Sequence, residues 1–182
     1  MNPYVVQAIG IVAMAFNILS YQHKNQKMVI LFQLTGATLF AIHFAFLGAI
    51  VGAILNAVAV FRAIVFLFRD RLHTDHIAWT IGFELIFVAS YVLTFTVFGK
   101  EPTAWNFILE FLPVIGMTAL TLAYRCKEAK AIRRYGLISS PAWLIYNIAN
   151  VSIGAICCEA ISLVSIAVGM LRHDRKSNSE NA

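Results

Sequence analysis

Two carboxylates, an imidazole, two amides and a phenol sit inside runs of hydrocarbon side chains: Glu110 and Glu159, His43, Asn56 and Asn147, and Tyr146. Trp143 stands one turn before Tyr146. Ionisable groups are costly in such surroundings, and within membrane spans they mark candidate solute or proton pathways. Together these residues have the chemistry to line a substrate pocket for a small polar or cationic solute, with a carboxylate to carry a proton. Glu159 is the deepest carboxylate and has no cation at its own level, which makes it the first choice among them. Glu110, close to Trp105, can instead be read as interfacial and wet, and His43 as hydrogen-bonded to a carbonyl of a neighbouring helix. Arg62 and Glu84 are expected to form a structural ion pair; such a pair need not add net stability, but losing one partner strands a charge.

No catalytic constellation accompanies these residues. The chain has no GxSxG, no HExxH and no phosphate-cradling glycine loop. Cys126, Cys157 and Cys158 lack metal-ligand or disulfide spacing, and the adjacent two read as small buried thiols. The expectation is a protein that is not an enzyme and needs neither cofactor nor metal.

The elements that must position these groups follow from composition. Of 182 residues 60% are hydrophobic and 13% charged, where a soluble domain is roughly a quarter charged. Residues 1–171 read as a single polytopic all-α integral membrane domain, and 172–182 (RHDRKSNSENA) as a disordered tail. The start, MNPYVVQAIG, has no basic region before its apolar run, so no cleavable signal peptide is expected. Seven apolar segments are expected as transmembrane helices: 4–21, 28–47, 49–68, 77–98, 105–124, 136–151 and 152–171. The sixth is short and holds Pro141.

Charge supports this count. Apart from Arg62 and Lys100, every lysine and arginine lies in QHKNQK, RDRLHTDH, RCKEAKAIRR or the tail, which alternate segments place on one side. The positive-inside rule then puts the C-terminus in the cytoplasm and the N-terminus in the periplasm. The net charge of +5 is thus topological, and no nucleic acid is needed to explain it.

The first three segments also resemble the last three. AFNILSYQHKNQK lies over LTLAYRCKEAK, matching Tyr21 with Tyr124, Phe40 with Trp143 and His43 with Tyr146. With one residue removed at the turn, VGAILNA lies over IGAICCE. The expected plan is repeat one (4–68), a linker helix (77–98) and repeat two (105–171), a 3+1+3 arrangement of parallel repeats with the pocket between them near mid-membrane. Gly48, Gly52 and Asn56, and again Gly154, Cys158 and Ser162, form small-residue stripes suited to close helix packing. Pro113 and Pro141 are candidate kinks. At about 1.5 Å rise per residue, Arg62 and Glu84 share a depth roughly 10 Å from the basic side.

HFAFLGAIVGAILNAVAVFR, LPVIG at 112–116, CKEAKAIRR and WLIYNIANVSIGAICCEAISL resemble the YgjV-type bacterial inner-membrane proteins, in order and over nearly the whole chain. That resemblance implies residence in the bacterial inner membrane. More distantly the chain is similar to the SWEET, PQ-loop and PnuC-type transporters, which implies the 3+1+3 fold and carriage of small solutes. In SWEET-type proteins an Asn on the third helix of each repeat helps bind substrate. Asn56 matches the first, while Cys158 or Glu159 stands at the second, a departure that points away from a sugar. The reading is a small-solute transporter embedded in the lipid bilayer, possible proton linkage and homo-oligomers being left open. The alternative is a non-transporting sensor or assembly factor acting through the basic RCKEAKAIRR loop, which suits an anionic lipid or protein partner.

Overall fold

Within the described residues, each apolar segment expected from the sequence is mainly helical. The computed structural model describes residues 3–46, 50–149 and 153–174, and the helices are α1 (Pro3–Ser20), α2 (Gln26–Phe46), α3 (Ile50–Leu67), α4 (Arg69–Leu72), α5 (Ile77–Thr96), α6 (Ala104–Arg125), α7 (Ala129–Ala149) and α8 (Ile153–Gly169). A π-helical turn, Met170–Asp174, continues α8. Four of these, α2, α5, α6 and the α8–π segment, are long and apolar enough to cross a membrane. Tyr4–Ser20 and Ala53–Leu67 are shorter apolar helices.

Helix ends follow local chemistry. Thr103 caps α6 by accepting from the Asn106 amide, and His76 caps α5 by accepting from the Ala78 amide. α6 and α7 each continue past an internal proline, Pro113 and Pro141.

Two boundaries differ from expectation. The sixth segment begins at Ala129, not Gly136, because Lys130, Arg133 and Arg134 dilute its hydropathy without interrupting its helical backbone. Most of the expected basic loop is therefore helix. The tail is ordered through Asp174, where Arg133 and His173 make contacts inside the bundle.

Packing is local first. α2 lies against both α1 and α3, α7 against both α6 and α8, and α5 rests on α6. Contacts also join α1 to α8, α2 to α7 and α3 to α6. The core runs through Tyr21, Phe66, Phe83, Tyr124, Ile132 and Ile166, while Ile81, Leu85, Val164 and others point outward as a lipid-facing surface. Since lipid tails are as apolar as the core, close packing rather than hydrophobic burial holds such helices together.

Among the described residues the close approaches are made by glycines outside the expected stripes. A Cβ on Gly10 would lie 2.8 Å from the His43 ring, and one on Gly169 would lie 2.4 Å from the Tyr21 carbonyl. Gly154 faces open space, and Gly48 and the Gly52 contacts lie outside the described residues. Cys158 is buried, but Cys157 is exposed on the outward face of α8.

Candidate functional site

Glu110 is the centre of the one cluster that gathers several expected pocket residues. It falls under two turns into α6, about 10 Å from the helix start. Rather than wet, it is buried and ion-paired, its Oε1 2.9 Å from Lys100 Nζ. The end of α5 makes this pairing possible. Gly99 takes a left-handed φ of 67°, while the Phe98 and Lys100 amides donate to the carbonyls of Leu93 and Thr94 (both 3.1 Å). The chain folds back over α5, and Lys100 meets α6.

Tyr146 of α7 faces the Glu110 carboxylate with its hydroxyl. Trp143 packs edge-on to Tyr146 at 5.8 Å between ring centroids. Its indole sits where a Cβ on Gly116 would be, only 2.7 Å from Nε1. Beside this cluster lies a cavity of about 110 Å³ bounded by α3, α5, α6 and α7. Glu110, Tyr146, Tyr91 and Phe87 are on its wall, with the Ser90 and Thr94 side chains. It occupies the half of the bundle away from the basic end.

The remaining expected pocket residues stand elsewhere. His43 is buried in the α1–α2 seam, donating from Nδ1 to the Val6 carbonyl at 2.8 Å; the hydrogen-bonded alternative is what the fold displays. Asn56 is half-buried on α3, one residue beyond the cavity-lining Leu55. Asn147 is buried on α7. Glu159 is half-buried on α8 beside the Ser140 hydroxyl of α7, with Tyr21 close by.

Arg62 and Glu84 do not form the expected direct pair among the described residues. Arg62 donates to the Met117 carbonyl (2.9 Å) and Thr121 hydroxyl (3.3 Å), its guanidinium 5.2 Å from the Tyr124 ring centre. Glu84 accepts from the Thr118 hydroxyl at 2.6 Å. Both are thus tied to the same turns of α6, and the α3–α5 seam is filled by Phe61 and Phe66 against Phe83.

The basic end is tightly bonded. Gln26 at the start of α2 donates to the carbonyls of Ala123 (3.4 Å), Tyr124 (3.3 Å) and Cys126, which terminate α6. Arg133 of α7 donates to the carbonyls of Tyr21 (3.4 Å) and His23 (2.9 Å), which follow α1, and pairs with Asp174. Arg69 bridges Gln26 Oε1 (2.9 Å), the Arg125 carbonyl (2.9 Å) and Asp75 (3.3 Å). Lys127 binds Asp75 at 2.9 Å. The hydrogen bond from Lys127, with Arg69 adding to it, holds the Asp75 carboxyl below the usual range although the side chain is exposed.

Deeper in, the Tyr124 hydroxyl donates to Gln33 Oε1 at 2.5 Å, and Gln33 donates to Ser20.

Sequence reasoning passed over Lys100, Gln26, Gln33 and Arg133. Gln26 and Gln33 did leave a signal: seven residues apart on a helix, two amides share one face of an otherwise apolar segment. Lys100 left a weaker one, as the sole basic residue on its side.

No curated protein and no solved structure matches the chain. A family match does cover residues 4–177, nearly its full length, and by it this chain with its buried carboxylates belongs to Imp-YgjV, a family of bacterial inner membrane proteins.

Proposed function

We propose that the chain is a small-solute transporter of the inner membrane, built as two parallel three-helix halves joined by α5, N-terminus periplasmic and C-terminus cytoplasmic. The observation that carries this reading is Glu110: a buried carboxylate, faced by a phenol, on the wall of a cavity between apolar helices. Polar residues retained at such a cost line pathways.

The two-half plan is supported by helix boundaries. A shift of 103 residues carries the start of α2 at Gln26 onto that of α7 at Ala129, and the same shift lays α3 over α8. In that register Asn56 matches Glu159. Contacts between the halves also correspond. Arg62 of α3 bonds α6, and its counterpart Ser165 of α8 donates to the Ile18 carbonyl of α1 at 2.6 Å. Gln26 and Arg133 each close the end of the opposite half's first helix.

The bonded basic end and the cavity in the other half describe a carrier shut towards the cytoplasm. The alternative, docking of a partner by the basic loop, is supported less, since Arg125 and Lys127 are already bonded to Asp75 at the surface and Arg133 is buried against the end of α1.

The test is thermal unfolding of detergent-purified protein against a library of sugars, amines, amino acids and vitamins, followed by proteoliposome uptake of any hit. A hit that stabilises wild type and Glu159→Gln but not Glu110→Gln supports this site through binding linkage. Stabilisation lost in Glu159→Gln alone moves the site to α8, and a library without hits overturns the transporter reading.

A further inference from the structure

Lys100 and Glu110 bear on what the cavity takes; this inference rests on the transporter reading above. Glu110 is buried, while Lys100 is one-third exposed and comes from the α5–α6 loop rather than from a helix. Its ammonium therefore enters the bundle from the end. Among the described residues no other cation lies within 4 Å of Glu110. The surroundings suit a positive charge: Tyr91 packs edge-on against Phe95 and Phe111 at 5.3 and 5.8 Å, and Phe87, Tyr91 and Tyr146 line the cavity. Aromatic faces and a desolvated carboxylate together favour ammonium groups over neutral or anionic solutes.

We propose that Lys100 is a tethered occupant of a cation site, and that the cavity's cargo is a small organic cation whose ammonium displaces that of Lys100 from Glu110. Binding of the cargo releases the Lys100 side chain, while the loop keeps the bond that Asn106 of α6 donates to the Glu101 carbonyl (2.9 Å). The tether also lowers the apparent affinity of free cations by the fraction of time that the carboxylate is uncovered.

n-Butylammonium reproduces the lysine side chain and serves as the probe, with butyrate and n-butanol as controls of equal length. Full-length Lys100→Ala in detergent is expected to unfold at a lower temperature than wild type. n-Butylammonium should restore it, half-maximally at a concentration about tenfold below that needed to stabilise wild type. Neither control should do so, and Lys100→Ala/Glu110→Gln should not respond. Should Lys100→Ala not fold, Lys100→Gln takes its place in the same titration. No response to n-butylammonium, or an equal response to n-butanol, overturns the cation site. Proteoliposome uptake separates this from the transporter reading. Rescue without uptake keeps the cation site and removes transport, whereas uptake of a neutral solute without rescue does the reverse.

Discussion

Arg133, in the second turn of α7, and Asp174, in the closing π-helical turn, form an ion pair buried at the basic end of the bundle. The same guanidinium donates to the Tyr21 and His23 carbonyls, so one side chain joins the end of α1, α7 and the turn that continues α8. Replacing Arg133 with methionine strands a carboxylate and two carbonyls together. A loss of roughly 3 kcal/mol is expected, read as a lowered midpoint in thermal unfolding, and Asp174→Asn should cost less because the carbonyl bonds persist.

Arg62 should behave differently. It is fully buried but bonds a carbonyl, a hydroxyl and a ring face, and the direct partner first expected, Glu84, is held by Thr118. A double-mutant cycle of Arg62→Met and Glu84→Gln should give a coupling of about 0.5–1 kcal/mol, from their attraction through space and the turns of α6 that both bond. A coupling of several kcal/mol would establish the direct pair instead.

These two arginines show what the sequence made legible. Apolar length fixed where the helices run, within a few residues except at α7, where basic side chains on a continuous helix mimicked a loop. Rise per residue gave depth, and placed Arg62 and Glu84 at one level. It carried no information on which way a side chain faces around its helix. His43, Glu110 and Glu159 are expected in one depth zone, yet they point respectively at α1, at Lys100 with Tyr146, and at Ser140. Lys100 and Asp174 were hidden for another reason: they lie beyond the apolar segments, Asp174 on the π-helical continuation of α8 and Lys100 on a loop that folds back through the positive φ of Gly99.

Gly99 supplies a clean test of that fold-back. Nothing lies within 4 Å of where its Cβ would be, so Gly99→Ala meets no clash and pays only for left-handed backbone. About 1 kcal/mol of stability should be lost, and Asn at the same position should lose less.

Gly116 has the opposite character, since a methyl there collides with the Trp143 indole. Gly116→Ala should destabilise by roughly 1–3 kcal/mol. Adding Trp143→Phe should recover much of this, as measured by the unfolding midpoint of the double variant.

Asp75 makes the basic end sensitive to acid. Its folded pKa is depressed by Lys127 and Arg69, so its contribution is complete above the ordinary carboxylate value near 4 and is lost as pH falls through the lower folded value. Asp75→Asn should therefore unfold earlier than wild type at neutral pH. The difference should shrink towards pH 3, and 1 M salt should reduce it at neutral pH, because both partners are exposed.

The crossed caps at the basic end set an order of events during synthesis. The Arg133 that donates to the His23 carbonyl lies 110 residues downstream, roughly ten seconds of translation. Until then the end of α1 must keep its carbonyls in water or against another protein. A ribosome halted before α7 emerges would thus expose an unfinished α1 end to the membrane's proteases and chaperones.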